Sequence, residues 1–214
     1  MMPNLRLEKR HLAAGSGAVI GIDEAGRGPW AGPVTAAAFW INPNCFDELP
    51  PELNDSKKLS PAKRASIYAA LTGGEHAFCV VSIAAAEIDR IGILGATFLA
   101  MRQAATKLQA LLISRQNVAI GLCLVDGNLD PDLGMPVKTV IKGDALSCSI
   151  AAASIIAKET RDNLMRDLAR DHAVYGWDSN MGYGTKSHSD ALYAHGISEH
   201  HRRSFAPIKR WLQF

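Results

Sequence analysis

Four carboxylates in this chain stand where apolar, strand-forming runs end. Asp23 and Glu24 follow residues 19–22, Asp126 follows 118–125, and Asp144 comes shortly after 137–141. Most other acids fall on polar helix faces or in loops. If the apolar runs pair in one sheet, the four acids converge. Clustered carboxylates repel one another, so the group is unfavourable unless cations neutralise it, and hard oxygen donors of this kind suit Mg²⁺ or Mn²⁺. Two such ions about 3.5–4 Å apart activate a water and stabilise the leaving oxygen of a phosphodiester in line. The chemistry is phosphoryl transfer to water. Taken singly, each acid has a plainer job: Asp23 and Glu24 end a strand, Asp126-Gly127 makes a turn, and Asp144 caps a helix. A pair plus two more at strand ends, bounded by basic loops, favours the shared site.

The elements that must position these acids are readable in outline. Residues 19–22 predict a buried strand, and Gly26, Gly28, Pro29, Gly32 and Pro33 force a turn before a second apolar run at 34–39. Residues 42–55 predict a loop; Ser60 caps and Pro61 starts a helix running to about Leu71. A third strand is expected at 77–83, helices at 84–91 and 94–113, and strands at 118–125 and 137–141. A long helix is predicted from 145 to about 171, small and apolar at first and charged after Lys158, with Asp144 at its N-terminus. From about 173 the chain reads as loop-rich, with a short helix at 187–195 and a basic tail. Residues 1–17 are expected to be a flexible leader set off by Gly15-Ser16-Gly17, and 18–214 a single catalytic domain.

The whole chain excludes several classes. With 214 residues and 48% hydrophobic content it holds a real core, so disorder is not its dominant state. A net charge of +2 announces no nucleic-acid binder, yet Lys186, Arg202, Arg203, Lys209 and Arg210 outnumber Asp190 and Glu199 near the end, so a basic stripe is present. Cys45, Cys79, Cys123 and Cys148 form no CxxC pair, which predicts a reduced, intracellular protein. No apolar run approaches the roughly 18 residues of a membrane span, and the first ten residues lack a signal-peptide core. The expected compartment is the cytoplasm.

The ordered motifs carry a resemblance. Asp23-Glu24-Ala-Gly-Arg-Gly-Pro, Asp55-Ser-Lys-Lys-Leu, Val125-Asp126-Gly-Asn, Lys142-Gly-Asp144, Ser149-Ile-Ala-Ala-Ala-Ser-Ile-Ile-Ala-Lys, Gly182-Tyr-Gly-Thr and His201-Arg-Arg-Ser-Phe together resemble the type 2 ribonuclease H family, the bacterial ribonuclease HII group. The series runs from about residue 18 to 207. It implies an RNase H-like α/β fold: a mixed sheet of about five strands flanked by helices, then a small helical C-terminal region. It also implies an endonuclease that hydrolyses RNA in RNA–DNA hybrids and cuts 5′ of a single ribonucleotide in duplex DNA, leaving 3′-hydroxyl and 5′-phosphate ends. The expected cofactor is Mg²⁺ or Mn²⁺, with two ions during catalysis, held by Asp23, Glu24, Asp126 and Asp144. The expected state is a monomer acting in ribonucleotide excision repair and DNA replication.

The resemblance assigns further residues. Gly26, Arg27 and Gly28 match the segment that reads the ribose 2′-hydroxyl, with glycines allowing close backbone approach and Arg27 suited to a phosphate. Tyr183 matches the tyrosine that stacks on the neighbouring sugar, and Lys57 and Lys58 are placed for backbone phosphates. Lys158 and Arg161-Asp162 are expected to support the site from behind. The family often has lysine before Gly-Tyr-Gly; Met181 stands there and puts a phosphate contact in doubt. His188, His195, His200 and His201 fit no closed zinc pattern and are expected at the surface, at caps or near phosphates. Two rivals remain: a catalytically silent hybrid-binding module, and another two-metal nuclease of the same fold that cuts DNA lacking ribose.

Overall fold

Five strands, β1 (Ala18–Ala25), β2 (Val34–Trp40), β3 (Ala77–Ile83), β4 (Ile120–Asp126) and β5 (Val137–Val140), make one mixed sheet in the order β3-β2-β1-β4-β5. The structure, a computed structural model, describes residues 2–15 and 17–212. β1 pairs antiparallel with β2, placing Asp23 opposite Ala37, and parallel with β4, placing Ile22 opposite Val125. Asp23 and Asp126 each lie one residue beyond that Ile22–Val125 pair, at the same end of adjacent parallel strands. Ligand chemistry in open sheets gathers at such carboxyl ends.

Helices bury both faces of the sheet, which is why its central strands read as continuous apolar runs rather than alternating ones. The helices are α1 (Arg6–Leu12), α2 (Pro61–Gly73), α3 (Ala85–Gln116) and α4 (Cys148–Asp171), followed by α5 (Trp177–Asn180), α6 (Lys186–His195) and α7 (Ala206–Trp211). On one face Ile20, Ile22, Ala36 and Ala38 pack against Ala100, Ala104 and Leu108 of α3. On the other, Ala37 and Phe39 meet Ile67 and Leu71 of α2 and Ala152, Ile155 and Ile156 of α4. Each fully buried isoleucine or leucine contributes roughly 1.5–3 kcal/mol, so the acids sit on a rigid edge. A Cβ on Gly21 would lie 2.0 Å from the Ser149 carbonyl carbon, so glycine and the small residues of α4 let that helix lie directly on the central strand.

A third cluster, Met165, Ala169, Tyr175, Trp177, Leu192 and Ile208, joins the far half of α4 to the C-terminal helices. The small helical C-terminal region that the resemblance implies is therefore present as an annex with its own core, holding more helix than the loop-rich reading of residues from about 173 expected. Gly92, at φ 76°, interrupts α3 where two helices were expected. Pro43–Glu48 coil into a 3₁₀ segment inside the expected 42–55 loop.

Two expectations need correction. Residues 6–12, read as part of a flexible leader, are helical. The Glu8 carboxylate is buried and accepts from Ser147 Oγ (2.5 Å), Ser149 N (3.0 Å) and Ser149 Oγ (2.8 Å), and Asn4 bridges to Ser147. A buried carboxylate at a helix N-terminus with three donors outweighs the fraying expected of a chain end. Ser16, the middle of the proposed linker, lies outside the described residues. The second correction concerns Asp144: α4 begins at Cys148 and is capped by Ser147, whose Oγ accepts from Ile150 N. Asp144 sits instead in a 3₁₀ turn, Gly143–Ala145, entered through Lys142 in the left-handed region at φ 56°. The plainer capping job is thus filled by another residue.

Candidate active site

The four acids converge. Burial raises the Asp23 pKa well above the usual carboxylate value, and the Glu24 and Asp126 charges raise it further. Glu24 is raised by burial and by Asp126, against the lowering effect of Arg27 and Lys57. Asp144 is raised by burial, Asp55 and Asp126, with Lys57 opposing. Asp126 is therefore the charge that all three others share, and its own Oδ1 accepts from Gly143 N at 2.6 Å, which ties β4 to the Asp144 turn. Asp23 Oδ1 accepts from Glu24 N at 2.7 Å, and Ser154 of α4 hydrogen-bonds the same carboxylate. These acids are desolvated, mutually repelling oxygen donors without an equal count of cations beside them.

An open cleft of about 640 Å³ runs past the first two acids, lined by Asp23, Glu24, the loop residues Gly26, Arg27 and Gly28, Lys57, Lys158, Arg161 and Tyr183, while Asp126 and Asp144 do not line it. Lys57 is exposed and acts on both Glu24 and Asp144. Lys58 does not line the cleft; it pairs with Asp55 at 3.7 Å and is half exposed. Arg27 reaches Glu24 Oε1 at 3.3 Å. Lys158 is held by Asp162 at 2.6 Å, and Asp162 and Glu159 both engage the buried Arg64. Ser56 Oγ meets Ser154 Oγ at 2.9 Å, fixing the lysine loop to the helix that carries the Asp23 partner.

Two buried guanidinium groups shape the glycine loop. Arg161 donates to the carbonyls of Ala31 (3.2 Å), Pro33 (2.9 Å) and Met181 (3.0 Å). Arg202 donates to Gly26 (2.6 Å), Arg27 (3.1 Å), Gly32 (3.0 Å) and Pro33 (3.0 Å). Neither forms an ion pair with a carboxylate among the described residues. Burial and the Arg161 charge push the Arg202 pKa down to about 9, still high enough to keep the cation at neutral pH. Asp89 of α3 anchors the same segment by accepting from Arg203 N and Ser204 N.

The tyrosine segment locks onto this loop. Trp30 N donates to Gly182 O at 2.8 Å, and a Cβ on Gly182, at φ 81°, would lie 2.5 Å from Ala31 O. The half-exposed Tyr183 ring is thereby carried over the loop, 3.5 Å from where a Cβ on Gly28 would stand. Met181 spends its carbonyl on Arg161 and packs its side chain in the annex core, so no cation stands at that position. His188 and His201, expected at the surface, at caps or near phosphates, are instead buried among Tyr175 and Trp177 in edge-on and tilted ring contacts, and their Nε2 atoms meet at 3.0 Å. Among the described residues, sequence reasoning gave no role to Asp55, Ser154 or Arg202. All three lie in quoted motifs, but nothing in a sequence distinguishes an arginine aimed at carbonyls from one aimed at solvent.

A mixed sheet with a carboxylate cluster at its central strand ends, walled by a helix on each face, defines an RNase H-like nuclease. The sequence comparison agrees: the Ribonuclease HII family profile matches residues 20–208. A Ribonuclease HII of Gluconobacter oxydans is 47% identical over 213 residues, covering 99% of this chain and 97% of that protein. The crystal structure of ribonuclease H2 from Pyrococcus horikoshii superposes with TM-score 0.69 at 26% identity, covering 90% of this chain and 95% of that one. Bst-RNase HIII in complex with Mn²⁺ shares the fold at TM-score 0.73 and 21% identity, covering 92% of this chain and 70% of that one. The chain belongs to the ribonuclease HII family. It is a ribonuclease H, an endonuclease of the RNA in RNA–DNA hybrids.

Proposed function

We propose that this enzyme also cuts duplex DNA on the 5′ side of a single embedded ribonucleotide, leaving 3′-hydroxyl and 5′-phosphate ends, in a divalent-metal-dependent reaction. The observation that carries the reading is that the Gly26–Gly28 loop and Tyr183 share one cleft with Asp23 and Glu24, the two acids to which Asp126 is coupled by charge. Duplex DNA offers no 2′-hydroxyl, so a loop whose backbone polar groups come close to the sugar distinguishes the two backbones. The Tyr183 ring presents an apolar face to the adjacent deoxyribose, which a ribose at that position would make more polar. Arg27, Lys57 and Lys158 supply cations for the phosphates on either side, and Lys58 extends that basic edge outside the cleft.

The donor set suits Mg²⁺ or Mn²⁺. Asp23, Glu24, Asp126 and Asp144 offer only hard oxygens, and burial with mutual repulsion has raised three of them, a penalty that a bound cation removes. When bound, two such ions lower the pKa of a water and neutralise the departing 3′ oxygen. The chain's own part is to hold the acids on rigid strand ends, orient Asp144 through the Gly143–Asp126 bond, and keep Lys57 free to follow a phosphate. In this reading the enzyme is a cytoplasmic monomer that removes ribonucleotides from replicated and repaired DNA.

The test is a panel of three duplexes: one ribonucleotide in DNA, a continuous RNA–DNA hybrid, and DNA alone. Metal-dependent cleavage beside the single ribonucleotide is expected, with none in DNA alone. Tyr183→Ala is expected to depress the single-ribonucleotide rate more than the hybrid rate. Equal losses on both would remove Tyr183 from junction recognition, and cleavage of plain DNA would favour a different two-metal nuclease.

A further inference from the structure

Four annex histidines near the chain's C-terminal end divide into two kinds. His188 and His201 are sealed in the core with their ring nitrogens committed: His188 Nδ1 to Tyr183 O at 2.9 Å, His188 Nε2 to His201 Nε2 at 3.0 Å, and His201 Nδ1 to Ser198 N at 2.9 Å. His172 and His200 are half-buried, and among the described residues neither imidazole makes a hydrogen bond. Their rings meet edge to face at 5.0 Å, with Trp177 5.4 Å from His172 and 5.9 Å from His200. The exposed Glu199 brings Oε1 to 3.8 Å from His200 Nε2. One ligand atom from each of His172, Glu199 and His200 lies within 4.8 Å of the others.

We propose that His172, Glu199 and His200 form a binding site for a borderline divalent cation of the zinc class, separate from the carboxylate cleft. Two imidazoles and one carboxylate are a characteristic zinc donor set with a fourth position left for water. Zn–N and Zn–O bonds of about 2.0 Å at tetrahedral angles put ligand atoms about 3.3 Å apart, so the site must close by at most about 1.5 Å. Glu199 is free to supply that movement because its side chain is 80% exposed. The donor chemistry also separates the two sites, since imidazole nitrogen favours zinc-class ions while the all-oxygen cleft favours Mg²⁺ or Mn²⁺.

The site lies where it can brace the annex. His172 ends α4, and His200 immediately precedes the His201-Arg202 segment that holds the glycine loop. Its carbonyl accepts from Gly32 N at 2.9 Å. A cation there closes the loop 173–198, which carries Tyr183, and constrains it as a cross-link does.

The probe is Zn²⁺ added to chelator-stripped protein in competition with a chromophoric chelator, in an Asp126→Asn background to weaken binding at the cleft. One equivalent is expected to bind, weakened more than about 30-fold in both His172→Ala and His200→Ala and about tenfold in Glu199→Gln. Zinc at a hundredfold excess over its Kd is expected to raise the unfolding midpoint by about 5–10 °C in the parent and not in His172→Ala. Co²⁺ in place of zinc is expected to give intense visible bands that the histidine variants lose. Circular dichroism without metal checks that each variant folds, and His172→Asn replaces His172→Ala if the latter does not. Zinc affinity within twofold of the parent in both histidine variants, or a parent Kd weaker than about 100 μM, overturns the site.

Discussion

Replacing Arg202 by methionine keeps much of the side-chain volume and removes its donors. Four carbonyls lose their contact, but Pro33 O keeps the Arg161 Nε bond, so Gly26 O, Arg27 O and Gly32 O are left without a side-chain donor. At about 1–1.5 kcal/mol each the loss is about 3–4.5 kcal/mol. Removing one of two adjacent buried cations returns about 1–2 kcal/mol of desolvation and repulsion. The net is about 2 kcal/mol, or an unfolding midpoint lowered by about 4–8 °C for a chain of this size. The function should suffer more than the stability. The glycine loop then lacks the clamp that sets its carbonyls, and misplacement of about 1 Å costs on the order of 10²-fold in kcat/KM for the single-ribonucleotide duplex. Arg202→Lys is expected to fall between the two, because a flexible ammonium with three donors does not reproduce a planar fork spanning four carbonyls. Denaturant melts and cleavage assays on purified, folded variants decide it. A midpoint within about 1 °C of the parent together with unchanged cleavage refutes the clamp.

Three further outcomes follow from the same contacts. The raised pKa values of Asp23, Glu24 and Asp144 mean that the stability these groups contribute is fully present below their unfolded values of 3.8, 4.5 and 3.8 and is lost as pH climbs through the raised folded values. Metal-free protein melted between about pH 4 and 8 should show that decline, and Asp126→Asn, which is expected to abolish cleavage, should flatten it; a variant less stable than its parent at neutral pH contradicts the shared-charge account. Gly21→Ala drives a methyl into the α4 backbone and is expected to cost about 3 kcal/mol or more, read as lost soluble yield or a collapsed denaturation midpoint. Glu8→Ala strands three donors at the start of α4 and should cost about 3 kcal/mol, with Glu8→Gln losing less; equal melts for parent and both variants remove the N-terminal brace.

What was legible in the sequence follows from where the physics is local. Strands and helices signal themselves by period and by flanking glycine, proline and serine, so β3 falls at the expected residues and Gly92 breaks α3 where the pattern paused. The acids stood out because a charged pair at the end of an apolar run is locally costly. Long-range partners left no such mark. Glu8 looks like one charge among several in a polar leader, yet it is buried by contacts far along the chain with Ser147 and Ser149. Arg202 sits in a stretch that composition reads as basic tail, and only the fold turns it inward. Asp144 was open to a capping role until the structure put Ser147 in that place.

Fixed and movable charges are kept apart around the cleft. Arg161 lines the same cleft as Asp23 and Glu24, yet each of its described donors goes to a backbone carbonyl. Had it paired with an acid, the carboxylates would be neutralised internally, and a metal would have to displace a buried guanidinium to enter. By giving Arg161 and Arg202 to carbonyls, and the third buried arginine, Arg64, to Glu159 and Asp162, the fold keeps these cations off the site acids and leaves the acids in surplus. The remaining cations that reach them are Lys57, which is exposed, and Arg27, which is half exposed, and each can swing to a phosphate. The loop is therefore fixed by the charges that cannot move, while the site is balanced by charges that can, and the arrangement asks for an external cation at the acids when substrate draws the lysine and arginine away.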